Sequence, residues 1–319
     1  MPIKKTVIGS FPKLPLEVDE AMKAVVDLQL RNGVGMVSDG EQRSDMITYF
    51  EQIPGLVAGP RGLMVNSRIT SLEDPSDFIK VKDFIFVKDY LREHGRGDVS
   101  IKTTITGPIT LGVTCAAAGL RYYSGLNDEK LYRDLSEALE PVVVRLLELG
   151  SFVQLDEPGL SAGYLAPSRA LPILRDLFSR ISSAKKTTGS LSIHVCGNLG
   201  KFPELLEELL EFNLDVVSLA FSGPTERQNV NLLREDIFSS SERKLGVGCI
   251  AVSLSRKEDV EDIEHVYHRI KRISEKVGTS NIAYAHPDCG LRNTPLEVSE
   301  LILQRLSQAV DQYNLELSA

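Results

Sequence analysis

A histidine and two cysteines carry the clearest sign of chemistry in this sequence. His194 and Cys196 are separated by one residue, so their side chains share a face if the segment is extended. Cys289 follows much later, in a P-D-C-G run. One imidazole and two thiolates suit Zn²⁺, and three protein ligands leave one position open, as in catalytic zinc sites. The competing interpretation is two buried thiols and a hydrogen-bonded histidine without a metal.

Zinc with sulfur ligands predicts the activation of a thiol. A free thiol has a pKa near ~8.5 and is mostly protonated at neutral pH, whereas coordination to Zn²⁺ deprotonates it. The thiolate can then attack an electrophilic carbon, most simply a methyl group. Activation of water by a hydrolase is the other use of an open zinc position. Cys115 and Cys249 have no such neighbours in the sequence, and we interpret them as packing residues.

Eight short apolar, β-branched runs alternate with helical patterns, which predicts an α/β fold with a parallel sheet. Eight such strands close a TIM (β/α)8 barrel. The predicted strands are Thr6–Gly9, Met36–Asp39, Ile101–Thr106, Phe152–Asp156, Leu191–Val195, Val216–Ala220, Leu245–Ala251 and Ile282–His286. The predicted helices that follow strands are Leu14–Asn32, Asp128–Leu149, Pro167–Ile181, Phe202–Phe212, Val230–Ile237, Asp259–Lys276 and Pro295–Tyr313.

Polar side chains stand at the ends of most of these predicted strands. They are Ser10, Asp39 with Glu41, Thr106, Asp156 with Glu157, His194 with Cys196, and Asp288 with Cys289. The active sites of TIM barrels lie at the C-terminal ends of the strands. We therefore expect these groups to meet at one mouth of the barrel, with Cys289 opposite the other two zinc ligands.

The segment between the second and third predicted strands is unusually long. It contains a predicted hairpin around Gly59 and Pro60 and a predicted helix near Phe78–Glu93. A long loop on a barrel is usually a lid, a binding element or a contact surface. We expect residues 1–319 to form a single catalytic barrel domain with an insertion at about 51–100.

Charge and composition exclude several classes of function. The formal net charge is −8 and the pI is about 5.3, which disfavours nucleic acid or an anionic membrane as a partner. No apolar run reaches the ~18 residues of a membrane span, and the N-terminus lacks the pattern of a signal peptide. Four cysteines are too few for a disulfide scaffold. We therefore expect a cytoplasmic protein.

Six motifs together resemble the catalytic barrel of cobalamin-independent methionine synthase. They occur in the family's order and span nearly the whole chain. The motifs are IGSFP (Ile8–Pro12), SDGEQRSDMITYF (Ser38–Phe50), TGPITL (Thr106–Leu111), LDEPGL (Leu155–Leu160), IHVCG (Ile193–Gly197) and HPDCGL (His286–Leu291).

The resemblance implies a zinc site and a pocket for homocysteine. It assigns zinc binding to His194, Cys196 and Cys289, and the two polar ends of homocysteine to Ser10, Glu41 and Asp156. Carboxylates suit the substrate's ammonium group, and Ser10 with nearby backbone N–H groups could donate to its carboxylate. The alternatives are a solvated loop charge for Glu41 and a cap or turn residue before Pro158 for Asp156.

This chain also departs from the folate-dependent members of that family. Those members have a large additional N-terminal half and a Glu zinc ligand where this sequence has Ala220. They carry an Asp-x-His pair where this sequence has Ala251 and Ser253, and a Trp near the folate ring, whereas this chain has no Trp. The chain is therefore most similar to the short core methionine synthases.

These features predict a zinc-dependent methyltransferase that makes methionine from homocysteine. The expected methyl donor is methylcobalamin or a methylated corrinoid protein. A thiol alkyl- or methyltransferase acting on coenzyme M is the first alternative, because similar barrels use an H-x-C…C zinc set without a Glu ligand. A non-catalytic module that binds a corrinoid protein is the second.

Overall fold

The computed structural model describes residues 2–184 and 189–318, and eight parallel strands form its centre. The strands are β1 (Lys4–Lys5), β2 (Met36–Val37), β5 (Ser100–Thr106), β6 (Phe152–Asp156), β7 (Leu191–Val195), β8 (Val216–Ala220), β9 (Lys244–Ile250) and β10 (Ile282–Pro287). Their order is β1-β10-β9-β8-β7-β6-β5-β2. A parallel bridge between Thr6 and Met36 joins the two ends, and the Thr6 hydroxyl donates to the Met36 carbonyl at 2.8 Å. The predicted TIM barrel is confirmed.

Helices follow the strands and pack their apolar faces on the barrel. They are α1 (Val18–Arg31), α2 (Ile79–Glu93), α3 (Pro108–Ala118), α4 (Glu129–Glu148), α5 (Pro158–Ala162), α6 (Pro167–Ala184), α7 (Leu205–Leu210), α8 (Glu226–Asn231), α9 (Glu235–Ser241), α10 (Ile263–Val277) and α11 (Leu296–Ser318). One contiguous apolar core contains residues from the strands and from the inner faces of these helices.

Several predicted bounds are wrong, and local backbone chemistry explains the main errors. The predicted helix Val230–Ile237 is two short helices, α8 and α9, separated by an extended Arg234. Helices α3 and α5 were not predicted. Each begins with a proline, Pro108 or Pro158, directly after a strand end. Proline is favoured in the first turn of a helix because it has no N–H to leave unpaired.

The first strand lies before its predicted position and the second is shorter than predicted, because regular pairing stops early. Strand β1 ends at Lys5, just before the predicted Thr6–Gly9, and Thr6 forms an isolated bridge to Met36. Strand β2 ends at Val37. The residues beyond each strand, including Ser10 and Glu41, therefore lie on irregular backbone at the barrel mouth.

The long segment after β2 contains a separate hairpin and one helix of the barrel. Strands β3 (Leu56–Gly59) and β4 (Gly62–Val65) pair antiparallel in a two-stranded sheet, and the hairpin is therefore centred as predicted. Helix α2 follows at Ile79–Glu93, close to the predicted bounds, and packs against β5, α1 and α4. It therefore occupies the position of the helix that connects two neighbouring barrel strands.

A lysine lies inside the barrel below the mouth. The ammonium group of Lys102 donates to the Val7 carbonyl at 2.8 Å and to Oε1 of Gln154 at 2.9 Å, and the side chain is 1% exposed. Burial lowers the pKa of Lys102 to about 7, although nearby Asp156 opposes this shift. The barrel interior therefore contains an amine whose charge is only weakly favoured.

Within residues 2–184 and 189–318, no helix has the length and apolar character needed to span a membrane.

Candidate metal and substrate site

The structure brings His194, Cys196 and Cys289 together at the C-terminal mouth of the barrel. Their possible ligand atoms all lie within 4.8 Å of one another. His194 is the fourth residue of β7 and Cys196 directly follows that strand, whereas Cys289 lies two residues beyond β10. The His194 side chain is 1% exposed, and its Nε2 has no hydrogen-bond partner among the residues that the structure describes. A buried lone pair beside two sulfur atoms fits a metal ligand better than a packing residue.

The loop that carries Cys196 is held by bonds to its backbone. The hydroxyl of Ser161 donates to the Cys196 carbonyl at 2.5 Å. Gly197 has a φ of 90°, a conformation that strongly favours glycine. The Asn229 amide donates to the carbonyls of Gly197 and Ala220 at 2.8 Å each, which joins the ends of β7 and β8. The Cys196 sulfur therefore extends from a loop whose path is fixed.

Asp288 fixes the segment that carries Cys289. Its carboxylate accepts hydrogen bonds from the N–H groups of Phe221 and Ser222 at 3.1 and 2.9 Å, and from the Ser222 hydroxyl at 2.5 Å. The end of β10 is thereby attached to the end of β8. Asp288 is 9% exposed, and burial raises the pKa of its carboxyl group to about 7.

The two cysteine thiols influence each other's ionisation. The side chains of Cys196 and Cys289 lie close together, and their interaction raises the pKa of Cys196 and lowers the pKa of Cys289 well below its ordinary value. The nearby His194 ring lowers the pKa of Cys289 further. The closeness of the two sulfur atoms therefore favours the thiolate form of Cys289, and a negative charge at this position suits a bound cation.

Asp156 lies beside the cysteine and histidine cluster. It pairs with His194 in the register between β6 and β7, and its Oδ1 accepts a hydrogen bond from the Gln154 amide at 2.7 Å. Burial raises the pKa of Asp156 to about 7, while His194 opposes the shift. The N-cap residue of α5 is Glu157 and not Asp156. This counts against the alternative that Asp156 is the cap of this helix.

Glu41 is buried and held in an uncommon backbone conformation. Its side chain lies in the interior, with the residue only 5% exposed, so the alternative of a solvated loop charge is wrong. Its φ is 53°, which costs free energy for a residue other than glycine. The guanidinium of Arg292 donates to the Glu41 carbonyl at 2.6 Å and to the Ser44 carbonyl at 2.7 Å. Strained backbone that is held in this way is common at functional sites.

Two partners of Glu41 were not identified from the sequence. The ammonium group of Lys80 and the hydroxyl of Thr104 each donate to Glu41 Oε1 at 3.0 Å. Lys80 is 1% exposed and also lies 4.0 Å above the ring of Tyr49. Burial alone would lower the pKa of Lys80, but Asp39 and Glu41 raise it. The sequence feature that could have identified Lys80 is its place on the apolar, buried face of α2, beside Val81 and Phe84.

Ser10 lies next to the loop that carries Cys289. Its carbonyl accepts a hydrogen bond from the Leu291 N–H at 2.8 Å. Its hydroxyl lies so close to Gly290 that any side chain at position 290 would overlap it. Ser10 and Cys289 therefore share one side of the mouth, as expected for a substrate group near the metal.

The positions at which this chain departs from the family pattern are also defined. Ala220 ends β8 and is 4% exposed, so it provides no ligand atom. The Ala251 N–H donates to Glu261 at 2.9 Å, and the Ser253 N–H donates to the Thr294 hydroxyl at 3.1 Å. Ser253 has a φ of 61°. Neither Ala251 nor Ser253 carries a side chain that would act as a general acid near neutral pH.

Comparison with known proteins places this geometry in context. The family described as "Cobalamin-independent synthase, Catalytic domain" matches residues 4–312. A methionine synthase from Methanothermobacter marburgensis is 30% identical, over 97% of this chain and 99% of the relative. A B12-independent methionine synthase from Shewanella sp. W3-18-1, solved in complex with selenomethionine, superposes with a TM-score of 0.77 at 19% identity. That likeness covers 100% of this chain and 99% of the other, and it supports the fold.

A longer relative carries a more specific name. The 5-methyltetrahydropteroyltriglutamate–homocysteine methyltransferase of Corynebacterium efficiens is 23% identical over 99% of this chain, but the match covers only 44% of that relative. This chain therefore spans less than half the length of that relative, whereas it matches nearly the whole length of the archaeal one.

Proposed function

The chain belongs to the family of the catalytic domain of cobalamin-independent synthases, and we propose that it transfers a methyl group to the thiol of homocysteine. Its relatives make it a methyltransferase of the methionine synthase type, and its length matches the short archaeal members. The observation that carries the proposal is the cluster of His194, Cys196 and Cys289 within 4.8 Å, with carboxylates from Glu41 and Asp156 at the same mouth.

We propose that zinc is the resident metal and that His194, Cys196 and Cys289 hold it. The fit rests on one imidazole nitrogen without a partner among the described residues, and on two sulfur atoms, a donor set that zinc prefers. With Ala220 at the end of β8, three protein ligands leave a position for the substrate sulfur. When bound there, zinc would make the substrate thiol acidic enough to be a thiolate near neutral pH.

The residues around the cluster then bind and orient homocysteine. Asp156 and Glu41 would accept hydrogen bonds from the substrate ammonium group, and Ser10 would donate to its carboxylate. In the reaction the substrate thiol loses its proton, a sulfur–carbon bond forms, and the donor–carbon bond breaks. The electron pair of that broken bond leaves with the donor. The contribution of the chain is to hold the sulfur in line with the methyl group.

The methyl donor is the point on which the comparisons and the residues disagree. The longer relative is named for a methyltetrahydropteroyl donor, and the family is described as cobalamin-independent. Both names favour a methylated folate and count against the corrinoid donor expected from the sequence. That longer relative, however, has more than half of its length outside the match.

We nevertheless propose a methylated corrinoid as the donor for this short chain, with methylated folate as the alternative. The proposal rests on Ala251 and Ser253, which offer no proton for a pterin leaving group, and on a chain that has no Trp to stack on one. A corrinoid that exchanges freely would be a substrate, not a resident cofactor. A second candidate thiol, coenzyme M, is less suited because its sulfonate offers no hydrogen-bond donor to the carboxylates of Glu41 and Asp156.

We also propose that residues 1–319 act as one catalytic domain, with the hairpin β3–β4 as an addition beside the mouth. Limited proteolysis tests this, because one domain should resist cleavage except at exposed loops. The function itself is tested by measuring methionine formation from homocysteine with zinc-loaded protein. Methylation of coenzyme M, with no product from homocysteine, would overturn the choice of thiol.

A further inference from the structure

Three buried side chains form a hydrogen-bonded line behind the cysteine and histidine cluster. Nδ1 of His194 lies 3.0 Å from the hydroxyl oxygen of Ser218. The same oxygen lies 2.9 Å from Nε2 of His286, and Nδ1 of His286 lies 2.7 Å from the Pro287 carbonyl oxygen. The three side chains come from β7, β8 and β10 and are at most 1% exposed.

Glycines in the intervening strand leave room for this line. Strand β9 lies between β8 and β10. It places Gly246 opposite Ser218 and Gly248 opposite His286. A side chain at Gly246 would come within 2.5 Å of the Tyr284 ring. Ser218 can therefore contact His286 across β9, because β9 has glycines where it passes between them.

The carbonyl of Pro287 sets the direction of every hydrogen bond in the line. A carbonyl oxygen only accepts, so Nδ1 of His286 carries a proton and donates it. In the neutral ring Nε2 of His286 is then an acceptor, and the single hydroxyl hydrogen of Ser218 must point at it. Ser218 has no second hydrogen, so its oxygen accepts from Nδ1 of His194.

The surroundings of His286 favour its neutral form. The His286 ring is fully buried, and in the described part of the chain its two nitrogens contact the Ser218 hydroxyl and the Pro287 carbonyl, not a carboxylate. The hydrogen bond to Pro287 places the donor at Nδ1, and a second proton would put a charge without a carboxylate partner in the barrel interior, which is unfavourable. The donor and acceptor roles along the three side chains therefore follow from the hydrogen bond of His286 to Pro287.

We infer that Ser218 and His286 are positioning residues that hold His194 in the tautomer with the proton on Nδ1 and the lone pair on Nε2. That lone pair lies on the side of Cys196 and Cys289, where Nε2 has no hydrogen-bond partner in the described part of the chain. The inference rests on the proposed function, in which this atom is a metal ligand. Outer hydrogen-bond partners of this kind orient ligating histidines and raise their affinity for metal.

The proton positions can be read directly by NMR in the metal-free protein. Labelling with ¹⁵N-histidine gives the protonation of each ring nitrogen in the parent chain, and single His→Gln variants assign the signals. We expect a proton on Nδ1 of His194, a proton on Nδ1 of His286 and none on Nε2 of His286. A proton on Nε2 of His286, or an unprotonated Nδ1 of His194, would overturn the inference whatever the metal content.

Zinc affinity gives the second readout. Ser218→Ala removes the connection, and we expect zinc binding measured by chelator competition to weaken by roughly 10- to 100-fold. Ser218→Thr keeps the hydroxyl and should recover affinity close to that of the parent. Ser192→Ala is the matched control. Like Ser218, Ser192 is a fully buried serine of a barrel strand, but its hydroxyl donates to the Val153 carbonyl and not to a histidine.

The outcomes separate this inference from the proposed function. A parent chain that binds no zinc contradicts the proposed metal site, while the NMR result still decides the direction of the hydrogen bonds. A parent chain that binds zinc, with Ser218→Ala binding it equally well, overturns the positioning role alone. Circular dichroism of each metal-free variant establishes that it is folded, and if Ser218→Ala is unfolded the parent NMR spectrum decides.

Discussion

The ammonium nitrogen of Lys80 lies 3.0 Å from Oε1 of Glu41, and both side chains are almost completely buried. Asp39 lies 3.6 Å from the same nitrogen. Helix α2 therefore places a positive charge beside two acidic side chains at the barrel mouth. Among residues 2–184 and 189–318, the hydrogen bonds to the Glu41 carboxylate go to Oε1, and the second oxygen is left for the ammonium group of the proposed substrate.

Removing the charge of Lys80 should destabilise the fold. Lys80→Met leaves Glu41 and Asp39 as buried carboxylates without a cation, and loss of one partner of a buried ion pair costs about 3–5 kcal/mol. Urea unfolding of the variant measures this loss of free energy of unfolding. Lys82→Met is the control, because Lys82 is on the same helix but pairs with Asp77 at the surface. Equal stability of the two variants would contradict this role of Lys80.

The carboxylates should matter for homocysteine and not for zinc. Glu41→Gln and Asp156→Asn each remove one charge-assisted contact, which costs about 1.5–3 kcal/mol, or roughly 10- to 150-fold in affinity. Calorimetric titration of the zinc-loaded variants with homocysteine provides the measurement. Glu51→Gln changes an exposed carboxylate of the same segment and should bind like the parent. Unchanged affinity in both site variants would favour coenzyme M as the thiol.

The proposed ligands should control the metal content. We expect about one zinc per chain in the parent and little in Cys196→Ser or Cys289→Ser, because a hydroxyl is a poor zinc ligand. Both variants should remain folded, since the two cysteines lie on loops after β7 and β10. Cys115→Ala is the control, because Cys115 is buried in α3 away from the cluster. Stoichiometric zinc in the double Cys→Ser variant would contradict the assignment.

Much of this site could be predicted from the sequence because barrel topology collects strand ends. Any residue that directly follows β7 or β10 lies at the same mouth, so His194, Cys196 and Cys289 could be grouped before their distances were known. Lys80 could not be predicted, because it reaches Glu41 from a helix and its position depends on how α2 packs. Ser218 likewise lies within a strand, and only the register across β9 places it between two histidines.

The lowered pKa of Lys102 inside the barrel should make stability depend on pH. The pKa of Lys102 is lowered to about 7 in the folded chain from an ordinary value of 10.5. Between these values the unfolded chain binds a proton that the folded chain does not, so stability rises with pH. It is lost as the pH falls towards 7, by at most roughly 1.4 kcal/mol per pH unit.

Lys102→Met tests this dependence, because it removes the amine and keeps a long apolar side chain. We expect the rise in unfolding free energy between about pH 7 and 8.5 to be smaller in Lys102→Met than in the parent, both measured in urea with a chelator present. The range stops there because buried thiols such as Cys115, whose pKa is raised to about 12, act in the opposite direction at higher pH. Lys4→Met alters an exposed lysine of β1 and should keep the slope of the parent. Identical slopes in all three proteins would mean that Lys102 is charged in the folded state.

The methyl donor can be decided by one comparison of initial rates. A pterin leaves as an amide-like anion that needs a proton, and Ala251 and Ser253 supply no acidic side chain at the position where the longer family members carry an Asp-x-His pair. A methylated corrinoid needs no such proton, because cobalt keeps the electron pair of the broken bond as a stable reduced centre. We therefore expect methionine to form from homocysteine and methylcobalamin, and little to form with 5-methyltetrahydropteroyltriglutamate, under anaerobic reducing conditions with zinc-loaded protein. Cys196→Ser is the control for uncatalysed transfer from methylcobalamin, and its rate must be subtracted. Faster turnover with the pteroyl donor would make the name of the longer relative correct for this chain as well, and it would require a proton donor other than Ser253 at the end of β9.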